Sequence, residues 1–454
     1  MENAISPLDG RYASKLSHFG AYFSEYALMR WRVIIELRFV KALNETGLFR
    51  ALSAEELKCT DALENNFDAH HYQQIKTIEE RINHDVKAVE EFLRQNLNLK
   101  QKNMIHFGLT SEDVNNLAYT GMLQAYVHEQ QIPRLKAFME ELMNKTGGWC
   151  DQPFPARTHG QVASPSTGGK EMAVFLSRLL VQYQALQTLR FKGKLNGATG
   201  NYSALTAAFP HFDWIAFSNR FIESLNMETN PVTTQIEDHD AWSAYFAVCR
   251  RINNILLDFD RDIWFYLTLG YLTLSTDTQS VGSSTMPHKV NPINFENSEG
   301  NLQVANGLLS TLMDKFGTSR LQRDLSDSTV ERNIGVALAH GDLALQESMK
   351  GLKRLQINTA RCDAELDQFP ELLAEPIQTI LRREGVDDPY MLLKELTRGK
   401  RIDRQGLHQF IDNLQLPDKV KEELKALNVR TYIGKAPEIC KQTVNRAQQI
   451  LNTT

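Results

Sequence analysis

The feature that most constrains this chain is a stretch of helical periodicity at residues 243–272, where Tyr245, Cys249, Ile252, Leu256, Phe259, Ile263, Tyr266 and Gly270 recur every three or four positions. That spacing predicts a single helix of about eight turns. Segments at 120–147, 169–193, 292–313 and 329–356 share the period. Helices of this length bury their apolar stripes against one another, so a bundle is the expected outcome.

Alternating β-branched runs between Asn-Gly or Asp-Gly turns are nearly absent, and no GxGxxG or GxxxxGK[ST] follows a strand-like segment, which disfavours a Rossmann or P-loop enzyme. The segments 148–168, 273–291 and 314–328 are polar and read as loops. Shorter helices lie on either side of the long ones, and Pro370, Pro376 and Pro389 punctuate the C-terminal part. The chain therefore divides into three helical regions: 1–111, a central bundle at 112–364, and 365–454. The expected fold class is all-α, with a long central helical bundle flanked by two smaller helical domains.

Charge and cysteine usage narrow the function. Across 454 residues, 50 basic against 55 acidic side chains leave a net charge of −5, which gives no electrostatic footprint for nucleic acid or an anionic membrane. No apolar run approaches the ~20 residues of a bilayer span. The five cysteines, Cys59, Cys150, Cys249, Cys362 and Cys440, are far apart and form no CxxC or Cys/His cluster suited to zinc. They read as buried free thiols in a reducing compartment, and no metal is expected. The start, MENAISPLDGRY, lacks a basic region followed by an apolar run, so the cytoplasm is the expected location. The basic cluster LTRGKR at 396–401 reads as a solvated face.

Chemistry concentrates in VGSSTMPHKVNP at 281–292. Gly282 permits unusual backbone angles and Pro292 suits a first helical position. Lys289 and Asn291 offer a cation and an amide that can hold carboxylate oxygens. On spacing alone the same segment is equally a Ser/Gly linker.

GSSTMPHKVNP resembles the GSxxMPxKxNP signature of the fumarase/aspartase superfamily. Within it, SPLDGRY, NHDVKAVE, HFGLTSEDVNN, RTHGQVASPSTGGKE, GNY, ELTRGKR and YIGKAP are similar to the longer bacterial branch that acts on succinylated purine nucleotides. The resemblance spans essentially the whole chain. It implies a fumarase/aspartase-like homotetramer whose active sites are each assembled from three subunits. The implied reaction breaks a C–N bond and releases fumarate, from adenylosuccinate to give AMP and from succinylated aminoimidazole-carboxamide ribotide, in purine biosynthesis. Such an elimination needs a base beside a carboxylate, an acid for the departing nitrogen, and donors that stabilise the carbanion-like state between them. It requires no redox cofactor or Schiff base, so no cofactor is expected.

The resemblance also implies roles. His159, in RTHGQ, matches the general acid, a task suited to an imidazole titrating near operating pH. Ser283 matches the general base, which needs activation in a closed site. Lys289 and Asn291 match the groups that stabilise the carboxylate and carbanion. Glu296 matches a carboxylate that orients an active-site histidine, although an acid is also ordinary in a first helical turn. His84 and Asp85 match a stretch near the substrate phosphate or the acid. His106, Thr110 and Ser111 match a segment for phosphate and succinyl oxygens, with Thr-Ser-Glu-Asp equally an N-cap signal. Arg11 and Tyr12 match phosphate ligands, Gln235 a succinyl contact, and Arg323, Ser328 and Arg332 further substrate ligands.

The phosphate set of Arg11, Tyr12, Arg323 and Arg332 is what an enzyme for small dicarboxylates would not need. Argininosuccinate lyase and a non-catalytic structural member of the superfamily stand as alternatives. SPLDGRY and NHDVKAVE speak against the first, and the presence of His159, Ser283 and Lys289 against the second. Two conformational expectations complete the picture: the segment 273–291 closes on substrate, and the Gly-Gly pair ending at Gly169 leaves its helix loosely started.

Overall fold

A computed structural model describes residues 3–275, 290–397 and 403–453, without the side chains of 395–397. The chain is helical almost throughout, as expected. Its principal helices are α1 (Glu25–Glu45), α2 (Asp85–Asn96), α3 (Ser111–Tyr126), α4 (Ile132–Gly148), α5 (Gly168–Thr188), α6 (Asp240–Leu269), α7 (Ile293–Phe316), α8 (Ser326–Glu331), α9 (Ile334–Arg354) and α10 (Ala436–Asn452). Short strands pair locally. β1 (Pro153–Phe154) runs antiparallel to β4 (Ser166–Thr167), and β2 (Arg157–Thr158) to β3 (Gln161–Val162). β5 (Lys192–Gly193) runs parallel to β6 (Glu228–Thr229), and β7 (Leu272–Leu274) antiparallel to β8 (Leu355–Ile357). The segment read as a loop at 148–168 thus holds two small ladders.

The residues group into two compact units: 1–135 with 182–254 and 300–344, and 136–181 with 255–299 and 345–454. Every boundary between them falls inside α4, α5, α6, α7 or α9. Among the described residues no helix is long and apolar enough to cross a membrane.

The stripe on α6 is buried as its period requires, from Tyr245 through Cys249, Ile252, Leu256 and Phe259 to Ile263. Gly270 is not its last member. At φ +76° it ends the helix, with its N–H on the Leu267 carbonyl and that of Tyr271 on Tyr266. These two bonds make a Schellman cap, which needs the left-handed angle glycine adopts without strain. The helix expected at 329–356 is likewise two, since α8 stops at Glu331 and α9 starts at Ile334.

In the second unit, Phe259 meets Phe138, Phe175 and Phe295 edge-on at 6.0, 5.4 and 6.1 Å. Close by in sequence, α6, α7 and α9 share a polar point. Ser348 Oγ lies 2.6 Å from Asp260 Oδ1 and 2.8 Å from Ser298 Oγ, while Asp260 Oδ2 has no hydrogen-bond partner. Burial pushes the Asp260 carboxyl up to about 8. The C-terminal part has its own apolar cluster of Leu366, Ile377, Leu381, Ile411 and Leu424.

Two expectations fail in this unit. Cys150 and Cys440 are not free thiols but a disulfide, with Cα atoms 5.6 Å apart, which ties α10 to the residues after α4. Their separation of 290 residues carries no spacing signal. Cys59, Cys249 and Cys362 are free. The start of α5 is tight instead of loose: a Cβ on Gly169 would come within 2.6 Å of Cys150 Cα, Cys150 N and the Thr146 carbonyl oxygen. Glycine is there because two backbones touch.

Candidate active site

In the first unit the site is built around the start of α3. Thr110 donates its N–H to Asp113 Oδ2 at 2.9 Å, so the capping reading of Thr-Ser-Glu-Asp holds, and Ser111 opens the helix. Asp113 Oδ1 accepts from the N–H groups of Asn196 and Gly197 at 3.1 and 3.2 Å and faces Lys194 Nζ at 2.9 Å, both side chains fully buried. Lys194 also donates to the Gly197 carbonyl at 2.9 Å. Asn196 reaches Thr233 at 2.8 Å, which fixes the 194–202 loop against the segment bearing Gln235. Gly200, at φ +75°, sits where a Cβ would come within 2.1 Å of the Thr233 carbonyl oxygen.

Gln235 and Arg323 come together: Arg323 Nη1 lies 3.5 Å from Gln235 Oε1, and Nη2 makes a 3.0 Å ion pair with Glu112 Oε2. Gln235 further donates to the Ala198 carbonyl at 3.2 Å. Arg332 and Asp85 also come together, at 3.7 Å, beside a 2.8 Å pair of Asp85 with buried Arg32. Burial works against the charge on Asp85, but Arg32, the Val86 N–H and Arg332 outweigh it and hold the carboxyl below its usual range. Ser328, in α8, leaves its carbonyl to Arg332 Nη1 at 2.6 Å.

His106 has φ +58° and is half-buried over Glu36, which accepts its N–H at 3.1 Å and faces its Nδ1 at 2.5 Å. Burial disfavours the imidazolium, yet the Glu36 carboxylate raises the ring above its usual value. His84 is the N-cap of α2, its Nδ1 accepting from the Lys87 N–H at 3.2 Å. Arg11 is exposed and lies over the Tyr12 ring at 5.9 Å. The neighbouring N-terminal residues Ser6 and Asp9 line a cavity of about 250 Å³ with Arg332.

Behind Arg323 lies a group that the sequence reading passed over. Glu112, His239 and Glu331 are at most 3 % exposed, and their facing atoms fall within 4.8 Å of one another. His239 stacks on Trp242 at 4.0 Å. The only signals were Glu112 inside the Thr-Ser-Glu-Asp run and His239 four residues after Gln235, one of twelve histidines.

In the second unit, His159 and Gly160 are the two turn residues of the β2–β3 hairpin, with φ of +53° and +78°. Both angles are positive, as in the type I′ turn that suits a two-residue hairpin. His159 is exposed at the tip. Below it, Arg157 donates to the Gly160 carbonyl at 2.8 Å, to Tyr271 Oη at 2.8 and 3.0 Å, and to Glu365 Oε1 at 2.5 Å. Arg157 lies in the RTHGQ motif, whereas Tyr271 and Glu365 carried no sequence signal. Glu296 lies in the first turn of α7 and accepts from Trp264 Nε1 at 3.2 Å; Asn291 precedes that helix. Ser283 and Lys289, together with most of the expected gate and of LTRGKR, lie outside the described residues.

The architecture matches the fold of two solved structures. It aligns with the 3-carboxy-cis,cis-muconate lactonizing enzyme from Pseudomonas putida at TM-score 0.77 and 19 % identity, covering 96 % of this chain and 97 % of that one. A fumarate lyase from Mesorhizobium sp. BNC1 aligns at 0.78 and 17 %, covering 95 % and 97 %. Residues 10–307 match the family described as Lyase, which defines a lyase of this all-α class. Residues 319–433 match "Adenylosuccinate lyase C-terminal". The chain is 46 % identical over 441 residues to the adenylosuccinate lyase of Escherichia coli (strain K12), covering 95 % of this chain and 97 % of the relative. It is 45 % identical over 444 residues to that of Haemophilus influenzae (strain ATCC 51907 / DSM 11121 / KW20 / Rd), covering 96 % and 97 %. The chain belongs to the adenylosuccinate lyase family.

Proposed function

We propose that this lyase cleaves adenylosuccinate to AMP and fumarate, and removes fumarate likewise from succinylated aminoimidazole-carboxamide ribotide. The observation that carries this reading is the near-full-length identity to chains named adenylosuccinate lyase. In this reading Ser283 takes the proton from the succinyl carbon next to a carboxylate, and the electron pair left behind expels the purine-side nitrogen as the C–N bond breaks. His159 gives that nitrogen a proton. Lys289 and Asn291 hold the carboxylate on which negative charge accumulates, and Glu296 supports an active-site histidine.

Gln235 binds the succinyl end, helped by Thr110 and Ser111, and Arg323, expected in the phosphate set, is assigned to that end instead because its Nη1 lies 3.5 Å from Gln235 Oε1. Arg11, Tyr12, His84, Asp85, His106, Ser328 and Arg332 serve the phosphate side. A hairpin tip with an exposed histidine suits an acid that works in a site completed by other chains. Residues 112–364 are the proposed assembly core of a homotetramer, flanked by 1–111 and 365–454. Exposed Val174, Val181, Trp264, Phe265 and Val304 on its long helices support burial against copies of the chain.

The test is fumarate release from adenylosuccinate, the succinylated ribotide and argininosuccinate, with His159→Ala and Ser283→Ala as controls. Turnover of both nucleotides, lost in both variants, is expected; turnover of argininosuccinate alone would overturn the reading. Mixed tetramers of the two inactive variants should regain part of the activity, and none would count against shared sites.

A further inference from the structure

The group behind Arg323 has a charge imbalance that the proposed reaction does not use. Glu112 projects from α3, Asp327 and Glu331 from α8, Glu237 and His239 from the segment before α6, and Arg323 from the segment before α8. Lys194, beside β5, is committed to Asp113 at 2.9 Å. Four buried acids therefore face one guanidinium and one imidazole. Glu112 Oε1, Glu331 Oε1 and both ring nitrogens of His239 find no hydrogen-bond partner among the described residues, and Asp327 Oδ2 has only the Arg323 Nε at 3.7 Å. His239 Nε2 stands 4.0 Å from Glu331 Oε1, and Nδ1 lies 3.4 Å from a Glu237 oxygen that already accepts the His239 N–H. Unpaired carboxylates cannot all stay ionised in such a place; protons must make up the charge.

Burial raises the Glu112 carboxyl as well, but Arg323 Nη2, 3.0 Å from its Oε2, opposes that rise, so of the two acids Glu112 is the one that ionises first. We propose that Glu331 is a positioning residue: as an uncharged carboxylic acid it lies between Glu112 and His239, leaves Glu112 committed to Arg323, and through that guanidinium fixes Gln235. Burial, reinforced by the Glu112 charge, pushes the Glu331 carboxyl up to about 8. Its ionisation would place a second anion beside Glu112 and draw Arg323 inward, away from Gln235. Since Arg323 and Gln235 are the proposed succinyl contacts, the inference rests on the function proposed above, and its kinetic signature is in KM.

The experiment compares wild type, Glu331→Gln and Glu331→Ala as full-length protein. Glu331→Ala should raise KM for adenylosuccinate about tenfold with little change in kcat, as expected when a buried charged group loses its support. Glu331→Gln, which keeps a neutral donor of the same shape, should recover most of that loss at pH 7. Wild-type KM should climb as pH passes about 8, while that of Glu331→Gln stays flat. Equal losses in both variants, or a wild-type KM flat to pH 9.5 (~1.5 units beyond the expected ionisation), would overturn the proposal.

An infrared difference spectrum, wild type minus Glu331→Gln at pH 7, should show a carboxylic-acid carbonyl band. This arm needs no turnover, so its failure is separable from failure of the functional reading. A missing band, or a stoichiometric divalent metal in purified wild type that the Gln variant lacks, would also overturn it.

Discussion

Asp260→Asn tests whether the polar point shared by α6, α7 and α9 holds a proton at neutral pH. The Asp260 carboxyl is 1 % exposed, is met by the hydroxyls of Ser348 and Ser298, and has its Oδ2 unpartnered. Burial raises it from 3.8 to about 8. A folded-state pKa above the unfolded one means that the stability contributed by the acid form is fully present below 3.8 and is lost as pH rises through about 8. Between pH 5 and pH 8 the unfolded chain sheds this proton while the folded one largely keeps it, a span of about three units at 1.36 kcal/mol each, or roughly 4 kcal/mol. Asparagine accepts the same Ser348 hydroxyl and carries no titrating proton, so it escapes this loss. Thermal melts at one scan rate from pH 5 to pH 8 should show Asp260→Asn gaining on wild type as pH rises, by on the order of 5 °C at the upper end. A gap in Tm that stays constant across that range, in either direction, would refute the reasoning.

Arg157→Ala should lower kcat at least about tenfold with a smaller change in KM, because it removes charge-assisted bonds that hold the His159 hairpin. Fumarate release measures this, and an unchanged kcat would show that the clamp is dispensable. Gly169→Ala should cost about 2 kcal/mol or more, read as a drop in Tm and soluble yield, since its methyl group would meet backbone that cannot move aside. Thiol titration of the unreduced protein in denaturant should find three reactive groups, from Cys59, Cys249 and Cys362; five would remove the Cys150–Cys440 bond.

The long helices were legible because a buried stripe must repeat every three or four residues whatever it packs against. Where those helices stop was less so, since Gly270 fits the stripe by spacing and ends it by conformation. Motif resemblance named His159 but not its presentation: the positive φ and the Arg157 clamp depend on Tyr271 and Glu365, more than a hundred residues away. Glu112, His239 and Glu331 were invisible for the same reason. Each sits in a segment with a sufficient local explanation, and only the fold reveals that their unpartnered atoms converge. Gly169 misled because a glycine kept for close backbone approach looks in sequence like one that merely loosens a helix.

The Asp113–Lys194 pair bears on how such a chain can diverge. Asp113 accepts from three backbone N–H groups while facing an ammonium that water does not reach. Losing either partner strands a buried charge, which costs about 3–5 kcal/mol, a large part of a domain's whole stability. A lineage cannot cross that gap one substitution at a time without passing through a poorly folded ancestor. The two positions are thus bound to be inherited together, so sequences drifting apart elsewhere should retain this node intact or exchange both halves at once.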